Sequence, residues 1–92
     1  MPIFTQSSNF VLLSEKDELF YTGYTSNLKR RVELHNMGKV KSTSNRLPLG
    51  LVYWEGCLNQ QDATKREKYL KSGNGKKYIR NRIDNFLSNP TG

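Results

Sequence analysis

Cysteine is nearly absent from this chain. Cys57 stands alone, which excludes an internal disulfide and a zinc cage built from thiolates. That usage fits a reducing cytosol. Long apolar runs are missing too: none approaches the roughly 20 residues that cross a bilayer. The opening MPIFTQSSN lacks the basic-then-apolar order of a secretory signal. A cytoplasmic location without a membrane partner is the expectation. Acidic residues are scarce, eight Asp and Glu against fifteen Lys and Arg, which leaves +7 on 92 residues. The length sets one small domain. The charge points to a polyanionic partner, the plainer alternative being a merely soluble basic surface. There is no internal repeat and no low-complexity tract.

What the chain does have is a strand that breaks into a helix, LFYTGYTSNLKRRVELH from Leu19 to His35. Leu19, Phe20 and Tyr21 favour a strand. Gly23 permits a tight bend or a close backbone approach. Thr25 or Ser26 can cap the helix that follows, expected from Ser26 to Asn36. Arg31 and His35 lie one turn apart on it and share a face. Gly38 is a good left-handed stop. Upstream, Phe10 to Leu13 form an apolar run suited to a strand buried on both faces. Ser14 to Glu18 make a polar turn, so the two strands pair as a hairpin.

Downstream, Lys39 to Leu49 read as a basic, hydroxyl-rich connector, and Pro48 argues against a strand through it. A third strand is expected over Gly50 to Glu55. A second helix is capped at Asn59 and runs to Lys71. A third runs from Lys76 to Leu87, set apart by Asn74-Gly75, with Ile79, Ile83, Phe86 and Leu87 as its buried stripe. The order β-β-α-connector-β-α-α implies an α+β domain: a three-stranded, mainly antiparallel sheet flanked by helices. Residues 9–87 are its expected extent, with tails at 1–8 and 88–92.

Five side chains are candidates for chemistry. Glu67 shares a stripe with Ala63 and Leu70, and a carboxylate on an apolar stripe needs a partner or a cation. It is either an ion pair, with Arg31 or an arginine of its own helix, or a ligand for Mg²⁺, which keeps most of its waters. Arg31 can stabilise charge on a phosphate under attack, or it is a solvated arginine. His35 can relay a proton or bond a phosphate, or it is a satisfied core histidine. Tyr21 is a core aromatic or a catalyst. Tyr24 either packs or lines a cleft.

The order and spacing of these residues resemble the GIY-YIG nuclease family, in its small stand-alone members. Tyr21-Thr22-Gly23 stands at the second motif, Arg31 at the family's arginine, His35 at a position often histidine or tyrosine, and Glu67 within KREKYLK at the metal-binding glutamate. The resemblance implies a metal-dependent DNA endonuclease. Tyr21, Arg31 and His35 would be catalytic, and Glu67 would hold one Mg²⁺ or Mn²⁺ ion. Lys39, Lys41, Ser42, Thr43, Arg46, Lys65 and Lys71, with Tyr24, would contact DNA. Backbone contacts position a duplex without reading sequence. DNA of unusual structure, or targeting by a protein partner, is therefore expected for what reads as a monomer. One departure matters: counting back from Tyr21 places Phe10 where the first-motif tyrosine belongs. The ring stays and the hydroxyl goes. A weakened nuclease and a silent nucleic-acid-binding module both remain open.

Overall fold

Phe10, Val11 and Leu12 are all essentially inaccessible. Consecutive strand residues point to opposite faces, so such a run is stable only where both faces are covered. The computed structural model describes residues 7–88 and places this run in the middle of the sheet. Strand β1 (Ser7–Ser14) lies between β2 (Phe20–Thr25) and β3 (Leu49–Cys57) in the order β2-β1-β3, antiparallel to both. Between them and after them come α1 (Leu28–Asn36), α2 (Gln60–Lys71), α3 (Gly73–Arg82) and the short α4 (Asp84–Ser88). The expected α+β class holds. β1 takes in Ser7 and Ser8, which the sequence assigned to a tail. The rest of both expected tails, 1–6 and 89–92, lies outside the described residues.

The two faces have separate cores. Phe10, Leu12 and Leu49 pack with Tyr21, Leu28 and Val32, so α1 covers this face. Val11, Leu70 and Ile79 pack with Phe20, Tyr53 and Tyr78, so α2 and α3 cover the other. A bulge lets Val11 pair with Tyr53 and Leu12 with Leu51. Val52 is the extra residue and joins Tyr53 on the α2/α3 side.

Local chemistry sets the boundaries. α1 starts later than expected: Asn27, not Thr25 or Ser26, is its cap and accepts the Arg30 N–H. Thr25 instead accepts the N–H of Asn27, a side-chain turn that leads into the cap. Asn59 caps α2 as expected, accepting from Asp62 N–H. α3 begins at Gly73, so Asn74-Gly75 lies inside its first turn instead of ahead of it. Ser72 caps that turn through Gly75 N–H. A Cβ on Gly75 would run into the α2 backbone at Tyr69 and Leu70, so glycine is what lets the two helices join so tightly. Ile79 is buried as expected, but Phe86 is half exposed and sits in α4, past a break at Ile83. β3 opens directly after Pro48.

Candidate active site

Tyr21 lies on β2, on the face covered by α1. It is opposite Leu12 and two pairs along from Phe10, which faces Gly23. The fit is tight: a Cβ on Gly23 would come within 2.8 Å of the Phe10 ring tip. Gly23 is thus the gap that admits the ring, a close side-chain approach and not a bend. Phe10, Tyr21 and His35 form one aromatic group. The His35 ring centroid is 5.0 Å from that of Tyr21 and 5.8 Å from that of Phe10. The Tyr21 hydroxyl accepts from Ser42 Oγ at 3.4 Å, at the exposed rim.

His35 is fully buried. Its Nδ1 and the Thr43 hydroxyl are 2.7 Å apart. That hydroxyl also points at the Val40 carbonyl, at 3.5 Å. Nε2 has no hydrogen-bond partner among the described residues. Burial lowers the His35 pKa below its ordinary value, and the nearby Arg31 charge lowers it further. His35 is therefore neutral at pH 7. Arg31 is half-buried on α1, and its guanidinium makes no ion pair among the described residues.

Glu67 belongs to a different setting. It projects from α2, which packs on the far side of the sheet from α1. Its partner is Lys71 at 3.2 Å, one turn on, instead of Arg31 or an arginine. Its side chain is mostly covered, 18% exposed. No described contact joins it to Tyr21, Arg31 or His35. The structure thus brings Tyr21 and His35 together with Arg31 beside them, while Glu67 comes from the helix that covers the other face.

The expected DNA contacts divide. Lys39, Lys41, Ser42 and Lys65 are exposed, and Tyr24 is half-buried with its hydroxyl accepting from Gln60. Thr43 is corrected: it is fully buried and positions His35, so it is not available to a ligand. Arg46 is corrected in part. Its guanidinium grips Asp17 at 2.6 and 3.2 Å and the Leu19 carbonyl at 3.1 Å, tying the connector to the hairpin turn. Lys71 is likewise engaged, by Glu67. Sequence reading missed Ser14, which is fully buried below that turn. It accepts from the N–H groups of Lys16 and Asp17 and donates to the Arg46 carbonyl. A serine opening a polar turn was the available signal.

Among the described residues no three His, Cys, Asp or Glu side chains gather as a metal cage. A magnesium ion does not need one, since it binds through one or two carboxylates and substrate phosphates. Glu67 fits that pattern: Lys71 takes Oε2, and Oε1 has no described partner.

A three-stranded antiparallel sheet with a tyrosine, a histidine and an arginine gathered where its second strand meets its first helix defines a small α+β domain with a polar cluster at a strand-to-helix junction. Comparison with known proteins makes the class specific. A family model described as the GIY-YIG catalytic domain matches residues 7–86, and the chain belongs to that family. It is 46% identical over 65 residues to a UPF0213 protein of Clostridium perfringens, covering 68% of this chain and 70% of that one. It is 41% identical over 78 residues to a UPF0213 protein of Pediococcus acidilactici, covering 78% and 80%. A UPF0213 protein of Bacillus licheniformis is 41% identical over 68 residues, 73% and 70% of the two chains. No solved structure matches. Among the described residues no helix is long and apolar enough to cross a membrane.

Proposed function

We propose that this chain is a DNA endonuclease of the cytoplasm, hydrolysing phosphodiester bonds with a divalent ion and directed by DNA structure or a protein partner. The observation that carries this reading is the meeting of Tyr21 and His35 at 5.0 Å, with Ser42 on the phenol and Arg31 close enough to depress the imidazole's pKa. Tyr21 presents its hydroxyl at the rim, where it orients the attacking water. Arg31 supplies positive charge where negative charge grows on the phosphoryl oxygens. His35, neutral and held by Thr43, keeps the phenol ring in place and takes part in proton movement. Glu67 would hold Mg²⁺ or Mn²⁺, which supplies Lewis-acid polarisation of the phosphoryl group and stabilisation of the leaving 3′ oxygen. α2, which carries Glu67, packs along β2, the edge strand that carries Tyr21.

The test is incubation of the purified chain with duplex, flapped and branched DNA plus Mg²⁺ or Mn²⁺. Nicking that EDTA and Glu67→Ala both remove supports the enzyme. Tight, salt-dependent binding without nicking supports a silent module instead. A specific observation favours that second reading: Phe10 is buried and has no hydroxyl. Phe10→Tyr separates the two. It restores the family's phenol, and loss of a general base typically costs about 10²- to 10⁴-fold. Faster nicking in a folded Phe10→Tyr variant supports a weakened enzyme, and an unchanged rate assigns the base to another group.

A further inference from the structure

Phe20 directly precedes Tyr21 on β2, so its side chain points to the opposite face of the same edge strand. There it floors a cleft of about 360 Å³ whose walls are Leu19, Asp17, Arg46, Lys76 and Arg80. Three cations face one carboxylate. Asp17 is already matched by Arg46, so the charges of Lys76 and Arg80 are left over. Neither makes an ion pair among the described residues. The Arg80 guanidinium lies over the Phe20 ring, 5.1 Å from its centroid, which fixes the charge at the cleft wall. Lys76 and Arg80 are one turn apart on α3, an arrangement that mildly destabilises a helix when both charges have the same sign. The fold gains nothing evident from it, whereas an anion would.

We propose that this cleft binds one phosphodiester group of the nucleic acid, with Lys76 and Arg80 meeting the phosphate and exposed Leu19 and half-buried Phe20 meeting the sugar. The proposal rests on the nucleic-acid reading above and adds a second anchor to it. The connector joins the two places, since its Ser42 bonds Tyr21 and its Arg46 bonds Leu19 and Asp17. A strand laid across the β2 edge at Tyr21 passes from one face of the sheet to the other and arrives at this cleft.

The test measures fluorescence anisotropy of a labelled DNA single strand and of its duplex over a salt series. Lys76→Gln/Arg80→Gln is compared with Lys29→Gln/Arg30→Gln, which removes two exposed cations from α1. Each lost phosphate contact removes roughly 0.7 to 0.9 from the slope of log K against log salt. The cleft variant is expected to lose about 0.7 to 0.9 from that slope, the share of one phosphate, and the control variant to stay near wild type. Amide shifts at Leu19 and Phe20 on adding the single strand to the unmodified chain are expected as well. Equal slopes for the two variants, with melting temperatures unchanged, overturn the cleft and leave only a diffuse basic field. Wild type that binds neither DNA at low salt overturns the nucleic-acid reading itself.

Discussion

The two faces of the sheet solve burial differently. On the α2/α3 face, Val11, Leu70 and Ile79 form an apolar core, and Asn9, two residues before Val11 on β1 and so on the same face, is buried with its Oδ1 unmatched among the described residues. There Arg66 pairs with Glu55 at 3.1 Å and stacks on Tyr69 and Tyr78, while Glu67 pairs with Lys71. On the α1 face the buried polar groups bond to one another. His35 and Thr43 are both fully buried beside Phe10, bonded to one another, with one ring nitrogen unmatched. An unmatched buried nitrogen costs stability, and sites of chemistry are where such costs are tolerated. Each face carries one such atom; what sets the α1 face apart is a buried histidine bonded to a hydroxyl beside Tyr21. Glu67, the proposed metal ligand, is the exception, since its helix covers the other face.

That exception can be broken by kinetics. Arg31→Ala and Glu67→Ala are each expected to lower nicking about 10²- to 10³-fold, the usual loss for one group that stabilises transition-state charge. If the two act on one phosphate, the double variant falls little further than the worse single one. An Arg31→Ala loss beside an unaffected Glu67→Ala confines the chemistry to the α1 face. Stability gives the next contrast. Thr43→Ala strands the His35 Nδ1 in the core and is expected to cost about 1–3 kcal/mol. Lys71→Ala breaks a helical pair whose lysine is exposed and is expected to change stability by about 0.5 kcal/mol or less. Urea melts of the two variants check both. Comparable losses would show that the α1 face is no more dependent on its polar pair than the other face is on its ion pair.

The fold was legible because hydrophobic pattern decides it. Phe10–Leu13 announced a central strand, and Asn59 with Asp62 announced the start of α2. What stayed hidden depends on partners far along the chain. Thr43 reads as one hydroxyl in a basic loop until His35, eight residues earlier, is folded back onto it. Arg46 reads as a free cation until Asp17 meets it across the hairpin turn. Gly75 reads as a break because nothing local reveals the α2 backbone pressed against it. In the site, Tyr21, Arg31 and His35 could be grouped from sequence because one strand-to-helix junction carries all three. The side of the sheet on which Glu67 falls could not, since it depends on how α2 crosses strands that lie far ahead of it in the chain.

Acid titration sharpens the same contrast more gently. His35 has a folded pKa below the ordinary 6.5, so below pH 6.5 the unfolded chain binds a proton that the folded chain refuses. Stability is then complete above about pH 6.5 and falls as pH drops, with a slope approaching about 1.4 kcal/mol per pH unit until the folded imidazole charges. Asp17 behaves oppositely in range. Arg46 and the Leu19 N–H hold its carboxyl down to about 2 from 3.8. Its contribution is therefore whole above pH 3.8 and is lost only as pH falls toward 2. Thermal melts between pH 7 and pH 5 are expected to drop for wild type and to flatten in His35→Gln, with Asp17→Asn leaving that stretch unaltered. If Asp17→Asn flattens the slope instead, the acid sensitivity belongs to the hairpin turn, and the buried imidazole is not what distinguishes the α1 face.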